Sequence, residues 1–383
     1  MSRELDGNIF NRKKPTYTKR SSWRFFELGE IRVAIAGLGN CASALIQGVE
    51  YYRNQKEGEI PGLMHTNFGG YYINDIEFVT AFDINSLKIG KDISEAIFAD
   101  PNCCAKFCDM PSLGVKVLPG PVSDGVAPHM LKPFHVDEGV EPVEVVEALR
   151  ESEADMLVNY LPVGSAEGTR LYAQAAIDAG CAFVNCIPEF IASNEAWAKR
   201  FDAARLPVAG DDIKSQVGAT ILHRVLAELF YDRGVHIDSM YQLNIGGNTD
   251  FLNMTVEERL QTKRVSKTKA VTSLIPYEVP TRIGPSDYVP FLEDTKICYI
   301  RINGRGFGNL PIRATVKLEV NDSPNSGGVV IDVIRAVKLA LDRGISGPLT
   351  SMSSYAFKHP PVQVTDDLAR RWVEEFIEEK RER

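Results

Sequence analysis

Apolar positions along this chain follow two different patterns, and the first begins at residue 31. Short apolar runs there alternate with stretches of helical spacing; the runs are IRVAIA, IEFVTAFDI, VKVLPG, DMLVNYLP, CAFVNCIP and LPVAGDD. Branched apolar runs of this length are typical of strands that are buried on both faces of a parallel sheet. The alternation therefore predicts an α/β fold with a doubly wound parallel sheet.

The pattern changes after the predicted helix SQVGATILHRVLAELFYDRG. Longer segments, DSMYQLNIGG, TKICYIRINGRGF and LPIRATVKLEV, alternate apolar and polar residues, as half-buried strands do. They predict a second α+β domain on a mainly antiparallel sheet over residues 213–321, and pairing of such sheets would form a homo-oligomer. Residues 31–212 and 322–383 would form the first domain, and the basic residues 1–30 a mobile arm.

Composition narrows the class of protein. The 383 residues are 44% hydrophobic and 25% charged, with a formal net charge of -8, which favours a globular protein without a nucleic-acid partner. No apolar run approaches the ~20 residues of a membrane span, and the N-terminus lacks a signal-peptide core. The seven cysteines form no paired framework, so we expect a cytoplasmic protein with no membrane partner.

A glycine-rich turn follows the first predicted strand. The letters GLGNCA, residues 37–42, fit G-x-G-x-x-A between a strand and a helix, where backbone N–H groups can hold a pyrophosphate. Candidate cofactor contacts in the turn are Gly37, Gly39, Asn40, Cys41 and Ala42. A purely structural glycine turn is the alternative.

Asp83 ends the second predicted strand, where a carboxylate would bind ribose hydroxyls and repel a 2'-phosphate, favouring NAD over NADP. It lies about 40 residues beyond the turn instead of the usual ~20. Residues 51–75 therefore form an insertion, either a loop over the cofactor or a subunit contact. The segment NYLPVGS, with Asn159, Leu161 and Pro162, ends the fourth strand at the ligand-binding edge, although its last residues equally fit a helix N-cap.

Charged residues crowd the turn AGDDIKSQVGAT, where a buried strand leads into a helix. Burying charge costs several kcal/mol unless the charge is paired or used, so the turn predicts a site, with a surface loop as the alternative. Asp211 is a candidate cofactor contact, although Asp211 and Lys214 could equally be structural partners.

Lysines and amides cluster in the second predicted domain. Lys263 and Lys267 are four residues apart and either enclose an anion or form a solvated basic face. Lys296 heads a strand close to Asp294, whose carboxylate would hold its ammonium group. Asp322 and Ser323 open a turn before a long apolar helix, which suits capping or contacts with an anion or a metal.

The chain from about Ile31 onward resembles the myo-inositol-1-phosphate synthase family, especially its bacterial branch. The most specific segments are NYLPVGS, GDDIKSQVGAT, LNIGGNTDFLNM, SKTKAVTS, IGPSDYVPFLEDTK and LEVNDSPNSGGVVIDV. The resemblance implies a Rossmann-type fold, a homotetramer, and NAD-dependent isomerisation of glucose 6-phosphate to inositol phosphate without net oxidation.

The resemblance also implies roles for individual side chains. Catalytic roles fall to Lys263, Lys296, Lys358, Asp212 and Asp294, with Asp212 assisting Lys263 and Asp294 steadying Lys296. Substrate-phosphate contacts fall to Ser215, Lys267, Asn253 and Asn248. Asp322 would lie close to the cofactor, and together with Ser323 it would hold a divalent or monovalent cation.

Two other functions fit parts of the sequence. An NAD-dependent sugar-phosphate or semialdehyde dehydrogenase would share the predicted architecture, and Cys186 is its candidate thiol at a strand end. A non-catalytic NAD-sensing protein would keep the glycine turn but would have no use for the lysines together.

Overall fold

The computed structural model describes residues 29–53, 60–136, 141–255, 268 and 270–383. A parallel sheet of seven strands is the first unit of the fold, in the spatial order β11-β6-β5-β4-β1-β2-β3. Its strands are β1 (Ile31–Ala36), β2 (Ile76–Asp83), β3 (Val117–Pro119), β4 (Met156–Asn159), β5 (Ala182–Asn185), β6 (Pro207–Gly210) and β11 (Gly347–Pro348). The predicted doubly wound parallel sheet is confirmed.

Helices cover both faces of this sheet, which explains why its strands are continuously apolar. Val33 and Ile35 of β1 pack in one apolar cluster, whereas Ala34 and Ala36 pack in another on the opposite face. The α-helices whose two ends both lie in the described residues are α1 (Asn40–Arg53), α2 (Ile93–Ala96), α3 (Val145–Glu151), α4 (Ala166–Ala179), α5 (Glu195–Ala203), α6 (Ala219–Asp232), α7 (Thr249–Asn253), α8 (Asp322–Asp342), α9 (Thr350–Ala356) and α10 (Asp366–Ile377).

The second sheet has four strands in the order β10-β9-β7-β8. They are β7 (His236–Gly246), β8 (Thr281–Tyr288), β9 (Thr295–Arg305) and β10 (Pro311–Asn321). β9 runs antiparallel to β7 and β10, while β7 and β8 are parallel, so the sheet is mixed but mainly antiparallel. It has its own apolar cluster, which includes Phe230 of α6 and Ile300 of β9. The exact domain boundaries stay a prediction.

Helix α8 connects the two sheets. It begins directly after β10 and packs along α1. The two helices approach closely at Gly327, where an added Cβ atom would lie in van der Waals contact with the backbone nitrogen of Leu45, at 3.6 Å. The start of α8 is thereby held next to the glycine turn that precedes α1.

Residues 60–75, the larger described part of the insertion, are bonded to the helices α8 and α10. His65 lies between two carboxylates, with Nδ1 2.5 Å from Asp332 of α8 and Nε2 3.2 Å from Glu374 of α10. Arg335 donates hydrogen bonds to the backbone carbonyl groups of His65 and Thr66. Since none of these residues lines the large cleft described below, the predicted loop over the cofactor is not seen in this segment.

No helix in the described part of the chain has both the length and the apolar character that crossing a bilayer requires. The predicted arm lies almost wholly outside the described residues, which begin at residue 29.

Candidate active site

A deep cleft lies between the two sheets, at the carboxyl ends of the parallel strands. Gly37, Asp83, Tyr160 and Asp212, which end or follow β1, β2, β4 and β6, line one side. Lys296 of β9 lies among the residues on the other. This is the edge at which doubly wound sheets bind ligands.

Two glycines of the turn have different surroundings. Gly37 has a φ of 90°, and a Cβ atom there would lie 2.8 Å from the carbonyl oxygen of Tyr160, so the fold itself requires glycine. Gly39 also lines the cleft, but its added Cβ atom would meet nothing within 4 Å. Because the N-terminus of α1 follows at Asn40, the space beside Gly39 fits a pyrophosphate.

Asp83 lines the cleft at the end of β2, as predicted. Its carboxylate accepts hydrogen bonds from the backbone nitrogens of Leu38, Ile84 and Asn85 at 2.7, 2.8 and 2.9 Å. These bonds tie the acid to the glycine turn and fix its orientation toward the cleft.

Lys88 is a buried cation beside Asp83 that sequence reasoning missed. Its ammonium group donates to the carbonyl oxygen of Leu38 at 2.8 Å and to Asn102 Oδ1 at 3.0 Å, and lies 3.9 Å from Asp83. Burial lowers the pKa of Lys88. A lone lysine in a polar stretch carries no sequence signal, because its burial depends on the later loop that supplies Asn102.

Other predicted cofactor contacts that line the cleft are Asn40, Cys41, Leu161, Pro162 and Asp322. Ala42 and Asn159 lie behind its wall instead. Ala42 packs in the apolar core, and the Asn159 amide donates to Thr169 Oγ1 and Asn185 Oδ1. Their side chains therefore support the site without facing it.

Asp211, a candidate cofactor contact, lies outside the cleft lining, and its carboxylate has the structural role that was the alternative interpretation. It accepts hydrogen bonds from the Asn185 amide at 2.8 Å, from the Ser193 hydroxyl at 2.7 Å, and from the backbone nitrogens of Ile191, Ala192 and Ser193. Burial raises its pKa to about 6, even though these hydrogen bonds oppose the shift.

Asp212 forms an ion pair with Lys358 inside the cleft. The Lys358 ammonium lies 2.7 Å from Asp212 Oδ1 and donates to the carbonyl oxygen of Ile213 at 2.6 Å. Residues 356–359 are bonded to residues 211–214 through the backbone; the Lys358 nitrogen, for example, donates to the Asp212 carbonyl at 2.7 Å. The two segments therefore hold the pair in a fixed position.

Lys214, two residues after Asp212, has a structural role, which is one of the two interpretations of the sequence. Its ammonium group donates to the carbonyl groups of Ser354 and Tyr355 and to Asp366, at 3.0 to 3.1 Å. Burial lowers the pKa of Lys214 to about 8. Ser215, which follows it, lines the cleft.

The predicted pairing of Lys296 with Asp294 is wrong. The Lys296 ammonium lies 3.0 and 3.1 Å from the two carboxylate oxygens of Asp322. Asp294 lies in the turn before β9, and it accepts hydrogen bonds from the Ser323 nitrogen and hydroxyl at the start of α8. Burial lowers the pKa of Lys296, but Asp322 outweighs this effect, and the pKa is raised.

The predicted cation site at Asp322 and Ser323 is therefore already engaged by protein groups. Lys296 contacts both oxygens of Asp322, and the Ser323 hydroxyl donates to Asp294. Within the described ranges, no group of three or more His, Cys, Asp or Glu side chains is placed to hold a metal ion.

The two predicted phosphate-binding amides differ in position. Asn248 lines the cleft, and its amide nitrogen donates to Asp294 at 3.0 Å. Asn253 is fully buried outside the cleft lining, where its amide nitrogen donates to the carbonyl oxygen of Val163 at 2.8 Å. Lys263 and Lys267 lie outside the described residues.

Gln242 and Asn244 of β7 also line the cleft and were not predicted. They are two residues apart, so their side chains leave the strand on the same face. Both amides occupy positions of β7 whose side chains are buried. Two amides at such alternate positions, where apolar residues are usual, form the sequence signal that could have revealed them.

Comparisons with known proteins identify the family. A sequence model described as Myo-inositol-1-phosphate synthase matches residues 218–323. Inositol-3-phosphate synthases of Mycolicibacterium smegmatis and Corynebacterium glutamicum are 55% and 56% identical to this chain, over 91% of it and 98% of each relative. The crystal structure of a myo-inositol-1-phosphate synthase-related protein from Thermotoga maritima, 25% identical, superposes with a TM-score of 0.75 over 91% of this chain and 98% of that one. The chain belongs to the inositol-3-phosphate synthase family.

Proposed function

We propose that this protein converts D-glucose 6-phosphate to 1D-myo-inositol 3-phosphate, using NAD without net oxidation of the substrate. The observation that carries the proposal is the arrangement of the cleft. Two lysine ammonium groups, each held by a carboxylate, line the same cleft as a glycine turn with room for a dinucleotide. A simple dinucleotide-binding protein would not need both ion pairs.

The glycine turn and Asp83 hold the cofactor in this proposal. The N-terminus of α1 binds the pyrophosphate beside Gly39, and Asp83 accepts hydrogen bonds from the adenosine ribose. When bound, NAD would supply the acceptor for the hydride of C5 of the sugar and the source of the hydride that restores C5 after ring closure. A cleft that holds both reactants would lower the entropic cost of bringing them together.

Lysines stabilise the oxygen atoms that become negative during the reaction. The ketone at C5 makes the C6 proton acidic, and the enolate that results attacks the aldehyde at C1. Lys296 and Lys358 donate to the oxygens on C1 and C5, because preorganised cations in a water-poor cleft favour such charge. Since Asp322 keeps Lys296 protonated, Lys296 acts as a donor and not as a base.

Proton exchange at the C5 oxygen falls to Lys263, assisted by Asp212. Asp212 is already ion-paired with Lys358, so this carboxylate would be a shared partner of Lys263 and Lys358. Ser215 at the entrance to α6, with Lys267 and Asn248, binds the substrate phosphate. Asn253 is left out of this set because its amide is bonded behind the cleft wall.

The dehydrogenase alternative through a thiohemiacetal requires a reactive thiolate. Cys186 lines the cleft, but burial raises its pKa well above the usual value for a thiol. A neutral thiol is a poor nucleophile, so the surroundings of Cys186 do not favour the thiohemiacetal route.

Product analysis tests the proposed function. The protein is incubated with NAD and glucose 6-phosphate, with and without a chelator, and the product is identified by phosphorus NMR while NADH absorbance is followed. We expect inositol phosphate and no net NADH; NADH released in proportion to substrate consumed would indicate a dehydrogenase. Lower activity with chelator, restored by adding a cation, would support the predicted cation.

We further propose a homotetramer that works in the cytoplasm. Side chains on the outer face of the second sheet, opposite its apolar cluster, support self-association, since Tyr241, Leu243 and Tyr299 are exposed and Leu243 lies opposite Tyr299 in the register. Exposed apolar patches are typical of protein interfaces.

A further inference from the structure

A chain of buried hydrogen bonds leads from the second apolar core to the cleft. His223 Nδ1 lies 3.2 Å from Gln242 Oε1, Gln242 Nε2 donates to Asn244 Oδ1 at 3.0 Å, and Asn244 Nδ2 donates to the carbonyl oxygen of Gly284 at 2.8 Å. All three side chains are at most 1% exposed. Of these three side chains, those of Gln242 and Asn244 line the cleft and that of His223 does not.

The carbonyl group of Gly284 fixes the direction of the whole chain. A backbone carbonyl can only accept, so Asn244 must present its NH2 group there and its oxygen to Gln242. Gln242 must then present its NH2 group to Asn244 and its oxygen to His223. His223 must therefore carry its proton on Nδ1 and donate to Gln242.

His223 is suited to this single role. Burial lowers its pKa to about 4, so the ring is neutral at physiological pH and has one N–H group to give. Its Nε2 atom is buried and has no hydrogen-bond partner among the described residues. With the proton on Nδ1, Nε2 is left as an unpaired buried acceptor, and such an atom destabilises the fold. The fold tolerates this cost and keeps the hydrogen bond from Nδ1 to Gln242.

The fixed orientation makes Gln242 a hydrogen-bond donor to the cleft. An amide nitrogen has two N–H groups; Asn244 accepts one, and no other residue in the described ranges accepts the second. We propose that Gln242 is a specificity-determining residue that donates this N–H to an oxygen of the sugar phosphate, and that His223 is the positioning residue that holds it. The inference rests on the proposed function, because it assigns a substrate contact within the same cleft.

Steady-state kinetics of Gln242→Met test the contact. Methionine preserves the length of the side chain but cannot donate, so we expect KM for glucose 6-phosphate to rise about 3- to 10-fold, with KM for NAD within twofold of the wild-type value. Asn303→Leu is the matched control, because Asn303 makes polar side-chain contacts in the same sheet away from the cleft. Unchanged KM in Gln242→Met, or an equal change in the control, would overturn the inference.

Substitutions of His223 test the positioning role. His223→Leu should raise KM for glucose 6-phosphate as Gln242→Met does, whereas His223→Asn should restore it, because the asparagine nitrogen takes the place of Nδ1. Equal losses in both variants, in proportion to lower melting temperatures, would show a merely structural histidine.

Deoxy analogues identify the oxygen that Gln242 contacts. The ratio of kcat/KM between wild type and Gln242→Met is measured for glucose 6-phosphate lacking the 2-, 3- or 4-hydroxyl group. A ratio near 1 for one analogue assigns the contact to that hydroxyl, and the same ratio for all assigns it to another substrate oxygen, such as the phosphate. If the wild-type protein formed no inositol phosphate, the proposed function would fail; normal product formation with unchanged Gln242→Met kinetics would reject this inference alone.

Discussion

Individual residues of the cleft divide into those that shape the protein and those that leave room for ligands. Gly37 and Gly39 show the difference within one turn, since an added Cβ atom would collide with the backbone at the first and meet nothing at the second. A sequence motif treats the two alike. Only the position of Tyr160, more than a hundred residues later, separates their roles.

Substitution of these glycines should separate stability from cofactor binding. Gly37→Ala should lower the melting temperature, because it combines a positive φ with a close contact to Tyr160. Gly39→Val should leave melting nearly unchanged but weaken NAD binding about tenfold or more, since its side chain fills the pyrophosphate space. Calorimetric titration with NAD and thermal unfolding measure both effects, and a Gly39→Val protein with normal NAD affinity would contradict the assignment.

Lys296 should be essential for chemistry but not for cofactor binding. Lys296→Ala removes a cation at a developing oxyanion, so we expect kcat to fall by about 10²- to 10³-fold while the Kd for NAD stays within threefold. Lys338→Ala is the control, because Lys338 pairs with Asp155 and Asp342 outside the cleft lining. Normal turnover by Lys296→Ala would remove this lysine from the mechanism.

Sequence patterns predicted well which residues lie at the cleft. They predicted less well which of these residues form ion pairs with one another. Lys296 and Asp322 were both recognised, but the pairing was assigned to Asp294, which is nearer in sequence. Asp322 follows the other strand of the β9–β10 hairpin, at the same open end as Lys296, because the register places Lys296 opposite Val320, next to the start of α8. Register of this kind is a tertiary property that local spacing does not contain.

At the scale of elements, residues 60–75 of the predicted insertion connect two helices of the first unit. Its His65 bridges α8 and α10 through Asp332 and Glu374. Burial lowers the pKa of His65, but the two carboxylates outweigh it and raise the pKa to about 9. Neither the length of the insertion nor its aromatic content predicted this contact, because both partners lie more than 250 residues away.

The contacts of His65 with Asp332 and Glu374 make the stability of the protein depend on pH. Since the pKa of His65 in the folded protein lies above its unfolded value of about 6.5, its contribution is complete below pH 6.5 and is lost as the pH rises through 9. We expect the free energy of unfolding to fall by roughly 1–3 kcal/mol over this interval. Urea unfolding of wild type and His65→Gln at pH 6.5 and 9.5 should show a much smaller fall in the variant, whereas the exposed His129→Gln should behave as wild type; equal falls in all three would exclude His65.

For the whole molecule, the alternation of strands and helices predicted the architecture closely. Both sheets were found because each element buries apolar residues with its own period, two or 3.6, and this information is local. The cleft was predicted only as an edge of the first sheet. Its other wall depends on how α8 joins the sheets and packs along α1, a contact between elements that are far apart in sequence.

The exposed outer face of the second sheet should be the assembly surface. Light scattering coupled to size-exclusion chromatography is expected to give the mass of a tetramer, four times 42.4 kDa. Tyr241→Glu together with Tyr299→Glu should produce smaller species by placing charge on the apolar face. A monomeric wild-type protein would contradict the proposed assembly.

The backbone ladder between residues 211–214 and 356–359 also constrains the order of events at the ribosome. The strand β11 and Lys358 are synthesised only after all four strands of the second sheet. More than a hundred residues are therefore synthesised between β6 and β11. During this time the edge of β6 is unpaired, and Asp212 does not yet have Lys358 as a partner. Exposed strand edges attract other chains, so we expect this interval to be when the growing polypeptide most depends on chaperones.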